Sequence, residues 1–292
     1  MTQGEPDPSD ASDPSGEPGD VSFGIPFARP LLAGRGRRAD VAPLLVPTFS
    51  RVRALLELGI LGGVMLVTTL LLGPLLDWLG LVDEQHNIDP RGSILAVAAH
   101  GTAAIVCVVA LTLLRGGRLA EVGLTDRQPG WNILLGLGAF LAALATFIFM
   151  GLLINLLAEG EPLNQNVDKI MEMLPRMHWL GFLALSAWVG LWEELTFRGF
   201  LLTRLRRITG AWWAAVLIGS LLFALPHMAQ QVPLTVVPLF VIGVVWSVFT
   251  IWRQSLLPAI ISHVLFNFVQ LMIVFYQAEI FRFLQELAPP PA

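Results

Sequence analysis

Residues 191–200, LWEELTFRGF, place two glutamates and an arginine at the end of a long apolar run. A run of this kind crosses a bilayer as an α-helix, because backbone polar groups in lipid must be satisfied within the segment. Glu193, Glu194 and Arg198 therefore stand where lipid-facing residues are expected. A charged side chain at the centre of a membrane helix costs about 2.5–3.5 kcal/mol on insertion scales. We expect these side chains to face the interior of a helical bundle or a water-filled cavity.

The three charged residues differ in their helical neighbours. Glu194 and Arg198 are four residues apart, so they share one helix face and can form an ion pair. Glu193 is rotated from Glu194 by about 100°, and the residue four positions after it is Phe197. An unpaired carboxyl group in an apolar setting suits a general base. The spacing thus separates a paired glutamate from an unpaired one.

The composition excludes an ordinary soluble domain. Of the 292 residues, 55% are hydrophobic and 14% are charged, against about 25% charged in soluble domains. The single cysteine, Cys107, lies in an apolar run and is expected to be a buried structural thiol. We expect an all-α membrane protein, a polytopic bundle of about seven (seven to eight) transmembrane helices. The apolar stretches that predict them are approximately 55–82, 93–114, 131–157, 178–203, 211–230, 234–252 and 256–277.

The charged residues also indicate the domain organisation and the orientation. Residues 1–20 contain six acids and no base, a composition that cannot bury enough apolar surface to order itself. We expect residues 1–50 to be a disordered cytoplasmic tail, acidic and then basic, and residues 279–292 to be a short C-terminal tail. Residues 51–160 would form N-terminal transmembrane helices and residues 161–278 a transmembrane core. With a cytoplasmic N-terminus, cytoplasmic segments hold 13 Lys and Arg residues and outer segments hold 4, as the positive-inside rule requires.

Two later apolar stretches carry polar residues at the same four-residue spacing. FALPH, residues 223–227, contains Phe223 and His227, and HVLFN, residues 263–267, contains His263 and Asn267. In each pair the two side chains lie on one helix face. Three such sets, on the fourth, fifth and seventh apolar stretches, are difficult to explain by packing alone, so we expect them to meet in one site.

A helical hairpin relates two of these sets in depth. Glu193 and His227 each lie 17 residues from Gly210, the centre of the predicted turn. In an antiparallel hairpin of α-helices they would lie at the same depth, about 25 Å from the turn. We therefore expect His227 opposite Glu193. Glu57 and Asp77, near the ends of the first stretch, are expected to reach the membrane interface.

The three motifs together resemble a known family. EELTFR matches the pattern EExxxR, FALPH matches FxxxH, and HVLFN matches HxxxN. In this order, on successive apolar stretches, they resemble the CPBP family of type II CAAX prenyl proteases and bacteriocin-processing proteins, also called the Abi family. The resemblance covers roughly residues 170–277, and LAEVGLT, residues 119–125, adds weaker support. It implies an intramembrane endopeptidase whose catalytic core is residues 161–278.

The resemblance also implies roles for individual residues. Glu193 would be the general base that activates water, His227 would hold or share the proton, and His263 and Asn267 would bind the developing oxyanion. A metal-free glutamyl mechanism is favoured, and no cofactor is expected. A zinc enzyme stays open, because Glu193, His227 and His263 form a legitimate zinc ligand set. The helix-borne zinc motif HExxH is absent.

Supporting roles fall on three further positions. Glu194 with Arg198 would stabilise the site, and Phe223 would pack beneath His227. The expected substrate is a membrane-embedded or membrane-anchored peptide or protein, since prenylated CAAX substrates are not expected in bacteria. The expected partners are this substrate and the lipid bilayer, without nucleic acid, and the expected location is the bacterial cytoplasmic membrane.

Two other classes of function fit an intramembrane polar cluster. A non-catalytic protein of the same fold would use these residues to bind or regulate a membrane partner. An ion-coupled transporter would use Glu, His and Arg as relay residues. The transporter is the weakest alternative, because the chain shows no internal repeat of the kind found in many transporter folds.

Overall fold

The computed structural model describes residue 45 and residues 49–125, 128–157, 161–229 and 236–287. Within these ranges the regular elements are helical, which confirms the expected all-α class. Most of the expected N-terminal tail, residues 1–50, lies outside the described residues. The helices are α1 Arg51–Trp78, α2 Pro90–Leu114, α3 Pro129–Leu157, α4 Glu161–Met173, α5 Trp179–Glu194, α6 Leu202–Thr209, α7 Trp212–Ala224, α8 Val236–Arg253 and α9 Leu257–Leu287.

Several of these helices are suited to a bilayer. Five have the length and apolar composition to cross it, namely α1, α2, α3, α8 and the part of α9 from Leu257 to Glu279. A shorter apolar helical stretch, Trp212–Met228, contains α7. These features support a helical integral membrane protein. The last helix, α9, continues to Leu287, past the expected start of a C-terminal tail at residue 279.

The glutamate-bearing helix changes its winding at the motif. α5 begins at Trp179, where the ring nitrogen Nδ1 of His178 accepts a hydrogen bond from the backbone N–H of Leu180 at 3.3 Å. Directly after Glu194 the chain continues as a π-helical segment, Leu195–Leu201, and then as α6. Single π-helical turns inside α-helices occur frequently at functional sites. The EExxxR motif therefore spans the junction between the α-helix α5 and the π-helical segment.

A glycine allows another segment to approach the π-helical segment closely. A Cβ added at Gly199 would lie only 2.6 Å from the backbone oxygen of Val122. Val122 is fully buried and ends a short 3₁₀-helix, Leu119–Val122, within the LAEVGLT stretch. The next residue, Gly123, accepts a hydrogen bond at its carbonyl from the N–H of Leu256 at 2.9 Å. This stretch thus bridges the π-helical segment and the connection between α8 and α9.

The hairpin between α6 and α7 turns at Gly210. Its φ of +77° lies in the left-handed region, which glycine adopts without steric cost. Phe197 and Phe223 each lie 13 residues from Gly210 along the chain, and their ring centroids are 5.3 Å apart. Residues at equal distances from Gly210 along the chain therefore lie opposite each other at the level of Phe197 and Phe223, as the predicted hairpin requires.

A buried aromatic cluster joins the helices that carry the motifs. It draws on α3, α7, α8 and α9, so the N-terminal helices contribute to the same core as the motif-bearing helices. Phe140, Phe147, Phe197 and Val245 pack against this cluster. Its buried members are Ala143, Phe223, Ile242, Trp246, Ala259 and Phe266.

The expected interfacial position of Glu57 is wrong. Its side chain is buried and accepts hydrogen bonds from Arg204 at 3.0 Å (Nε) and 2.7 Å (Nη2) and from Arg53 Nε at 3.0 Å. Arg204 is only 1% exposed, and its guanidinium carbon lies 3.6 Å from the ring centre of Phe200. A pair of opposite charges tolerates burial when hydrogen bonds satisfy both partners, so neither residue has to reach the membrane surface.

Candidate active site

The glutamate with a helical partner lies at the centre of a buried hydrogen-bond network. Oε1 of Glu194 accepts from Arg198 Nη1 at 2.8 Å, the ion pair that the four-residue spacing predicts. The same oxygen lies 2.8 Å from Nδ1 of His263. A carboxylate only accepts hydrogen bonds, so Nδ1 carries a hydrogen and donates it. Glu194 therefore ties the EExxxR motif of α5 to the HxxxN motif of α9.

Glu193 is the less constrained of the two glutamates. Its side chain is 12% exposed, whereas that of Glu194 is 0% exposed. Oε2 of Glu193 has no hydrogen-bond partner among the described residues and lies 3.8 Å from Nε2 of His263. That distance is longer than a hydrogen bond. The spacing leaves room for an oxygen atom of another molecule to lie within hydrogen-bond distance of both Oε2 of Glu193 and Nε2 of His263.

The expected pairing of Glu193 with His227 is not the one that the structure describes. No hydrogen bond or ion pair between them occurs in the described part of the chain, and His263 is the group that faces Glu193. His227 lies in a 3₁₀ turn, Leu225–Ala229, after α7. The estimate of equal depth assumed α-helical rise along both arms. One arm instead contains the wider π-helical turns and the other a 3₁₀ turn, which rises about 2.0 Å per residue.

Phe223 and His227 nevertheless form a local pair, as their spacing predicts. Nδ1 of His227 lies 3.1 Å from the backbone oxygen of Phe223. The two ring centroids are 5.3 Å apart, and the ring of Phe223 is 6.0 Å from that of His263. Phe223 therefore packs against both histidines, and no hydrogen bond to the other nitrogen of His227, Nε2, occurs among the residues that the structure describes.

Asn267 follows His263 by one helical turn on α9. It is half-buried, whereas His263 is only 3% exposed. Its side-chain amide makes no hydrogen bond to the part of the chain that the structure describes. An amide N–H group with this freedom is available to a bound oxygen atom. Glu193, His263 and Asn267 thus leave polar atoms unsatisfied in a largely apolar core.

The charge of Arg198 is enclosed from several sides. The guanidinium carbon lies 4.1 Å from the ring centre of Phe223 and 5.2 Å from that of Trp246. Nη2 is 3.5 Å from the backbone oxygen of Gly243, and a Cβ added at Gly243 would come within 3.3 Å of Nη2. A small residue at position 243 therefore leaves room for the arginine. Gly243 and Trp246 both lie on α8, which carries none of the predicted motifs, so spacing along the chain did not reveal them.

The three candidate zinc ligands do not fit a metal site in this arrangement. No three His, Cys, Asp or Glu side chains in the described ranges are placed to hold a metal ion. Oε2 of Glu193 and Nε2 of His263 lie 3.8 Å apart, and no hydrogen bond or ion pair within the described ranges joins His227 to either side chain.

Comparison with known proteins agrees with the motifs. The model of the family described as Rce1-like, type II CAAX prenyl endopeptidase, matches residues 175–269. That segment contains all three motifs, from Glu193 to Asn267. No curated protein and no solved structure matches the chain. The family match confirms the resemblance inferred from the motifs, over residues 175–269 of the 292-residue chain.

Proposed function

We propose that the protein is an intramembrane endopeptidase in which Glu193 activates the attacking water. The observation that carries this proposal is the difference in burial and hydrogen bonding between the adjacent Glu193 and Glu194. Oε2 of each glutamate has no hydrogen-bond partner among the described residues. Glu194 is fully buried and its Oε1 is bonded to Arg198 and His263, whereas Glu193 is partly exposed and makes no hydrogen bond to the described residues. A general base must have such a free oxygen within reach of the proton that it removes.

The charges of the cluster balance in the form of the site that we propose. Glu194 cancels the charge of Arg198, and Glu193 cancels that of His263 when both ring nitrogens of the histidine carry hydrogen. His263 then donates to Glu194 through Nδ1 and to a substrate oxygen through Nε2. Balanced pairs matter here, because an isolated charge in an apolar interior costs several kcal/mol.

The proposed reaction is hydrolysis of a peptide bond. Glu193 takes a proton from water, and the hydroxide oxygen forms a bond to the substrate carbonyl carbon. Nε2–H of His263 and the amide of Asn267 donate to the oxyanion as the carbonyl π bond opens. The C–N bond then breaks, and the proton held by Glu193, shared with His227 once substrate is bound, passes to the leaving amine. No other reactant is required.

The proposal includes a mechanism without a metal ion. Its support is the arrangement of the donor groups, since no three His, Cys, Asp or Glu side chains in the described part of the chain are placed to hold a metal ion. The substrate would be a membrane-embedded or membrane-anchored peptide or protein, because the site lies on apolar helices. We also propose seven membrane crossings in a bacterial cytoplasmic membrane with a cytoplasmic N-terminus, since the distribution of Lys and Arg supports that orientation.

The test compares the membrane proteomes of cells that express the wild type or Glu193→Gln. New protein N-termini identified by mass spectrometry should appear with the wild type and disappear with Glu193→Gln. Glu84→Gln is the matched control, since Glu84 lies exposed in the loop between α1 and α2, and it should cleave like the wild type. A phenotype that survives Glu193→Gln would instead support the non-catalytic binding or regulatory protein.

A further inference from the structure

One aromatic residue outside the motifs lies flat against the site. Trp246, on α8, is 1% exposed. Its ring stacks on that of His263 with a centroid distance of 4.3 Å and an interplanar angle of 24°. The other close ring contacts of His263 and Trp246 are edge-on, including that between Trp246 and Phe266 at 6.1 Å. The parallel stack therefore defines the plane in which the imidazole of His263 lies.

The indole of Trp246 is itself fixed in place. Its Nε1–H donates to Oγ of Ser262 at 2.7 Å, and Ser262 is fully buried. Ser262 directly precedes His263 in α9, so the hydrogen bond joins the indole to the same helical turn that carries the histidine. The edges of Phe223 and Phe266 enclose the indole at 5.9 and 6.1 Å. The indole thus cannot slide independently of the imidazole.

The orientation of the His263 ring decides which nitrogen meets which glutamate. Nδ1 faces Glu194 at 2.8 Å and Nε2 faces Glu193 at 3.8 Å. The χ2 torsion of histidine is soft, with broad minima. Without a restraint on the ring plane, rotation about χ2 would turn Nδ1 away from Glu194 and would move Nε2 away from the side on which Glu193 lies.

We propose that Trp246 is a positioning residue, whose indole holds the His263 imidazole with Nδ1 toward Glu194 and Nε2 toward Glu193. The same indole lies 5.2 Å from the guanidinium carbon of Arg198, so it packs against both groups that bond to Oε1 of Glu194. The consequence for reaction rate rests on the proposed function. The consequence for the ring orientation of His263 does not, and it can be measured without any substrate.

The first arm of the test observes the imidazole directly. Full-length protein labelled with ¹⁵N-histidine is reconstituted in lipid, and the ring nitrogen signals of His263 are assigned by their loss in His263→Asn. In the wild type one set of signals with hydrogen on Nδ1 is expected. Trp246→Leu should give a second set or exchange-broadened signals. Trp246→Phe, which keeps an aromatic ring but loses the hydrogen bond to Ser262, should give signals closer to the wild type than Trp246→Leu does.

The second arm measures proteolysis of a substrate identified by its new N-terminus. Misplacement of a reacting group by about 1 Å can lower a rate by about 100-fold, and a drop of that size in kcat is expected for Trp246→Leu. KM should change by no more than about twofold, because Trp246 does not contact substrate. Ser262→Ala keeps both rings and removes one hydrogen bond, so kcat should fall by about threefold to tenfold.

The two arms separate the possible failures. Wild-type protein without proteolysis contradicts the proposed function, and the nitrogen signals still decide the role of Trp246. If Trp246→Leu does not fold, Trp246→Met replaces it, since methionine fills space adaptably without a ring. Wild-type nitrogen signals in the folded Leu or Met variant overturn the proposal. So does a Ser262→Ala variant that matches the wild type in both arms.

Discussion

His263 and Glu194 are joined by a 2.8 Å hydrogen bond between Nδ1 and Oε1, and the same oxygen accepts from Arg198 at 2.8 Å. This bond links two motifs that are 69 residues apart in the chain. Through this bond Glu194 connects α5 to α9. The adjacent Glu193 is left with an unpartnered oxygen beside the same histidine.

The first prediction follows from the different bonding of Glu194 and Glu193. Glu194→Gln should destabilise the folded protein by about 3–5 kcal/mol, because it leaves the buried Arg198 without its opposite charge. Unfolding monitored in lipid or detergent would measure the loss. Glu193→Gln is the matched comparison and should cost less, since Arg198 keeps its ion pair with Glu194 and no hydrogen bond to Oε2 of Glu193 is lost. Equal destabilisation by the two substitutions would contradict the conclusion that Glu194, and not Glu193, stabilises the buried network.

The buried pair of Glu57 and Arg204 supports a second prediction. Glu57→Gln should cost about 3–5 kcal/mol of folding free energy, because Arg204 is 1% exposed and loses its ionised partner. Replacing both residues by leucine should restore most of that stability, since two apolar side chains leave no buried charge. An additive double-mutant cycle would show that the two residues do not interact.

The close contact at Gly199 gives a third prediction. Gly199→Ala should cost about 1–3 kcal/mol, because its Cβ would meet the Val122 backbone oxygen at 2.6 Å and the neighbouring segments would have to move. Gly62→Ala on α1 is the control, since nothing lies within 4 Å of its Cβ position. Proteolytic activity should fall in Gly199→Ala and stay near wild type in Gly62→Ala. Similar stability in the two variants would contradict a tight contact at Gly199.

Metal dependence provides a fourth prediction. Purified enzyme treated with a strong chelator should keep its proteolytic activity, since the three candidate ligands do not converge in this arrangement. Elemental analysis should find zinc well below one ion per chain. Stoichiometric zinc, lost together with activity and restored with it, would contradict the metal-free part of the proposed mechanism.

Local spacing explains what could be predicted from the sequence. The pairing of Glu194 with Arg198 and the adjacency of Phe223 and His227 are four-residue relationships within one segment. The turn at Gly210 follows from a glycine after three arginines between apolar stretches. Such features depend on helical geometry alone, and the structure contains all of them.

The relationships between helices were not accessible in this way. The contacts of His263 with Glu194 and Trp246 depend on how α5, α8 and α9 cross, which a single sequence does not specify. The burial of Glu57 with Arg204 likewise needs the arrangement of α1 and α6. No hydrogen bond or ion pair joins His227 to Glu193 among the described residues, and a π-helical segment and a 3₁₀ turn alter the rise along the two arms of the hairpin. The π-helical segment has no clear sequence signal, whereas the 3₁₀ turn contains Pro226, which cannot continue the hydrogen bonds of an α-helix.

The most direct test of the central claim is the turnover of purified, lipid-reconstituted Glu193→Gln on a cleaved membrane substrate. Removal of a general base costs typically 10²–10⁴-fold, so kcat/KM should fall by at least about 100-fold while the protein stays folded and still binds substrate. Glu84→Gln, measured in parallel, should equal the wild type. A folded Glu193→Gln protein that cleaves at the wild-type rate would contradict the assignment of Glu193 as the base.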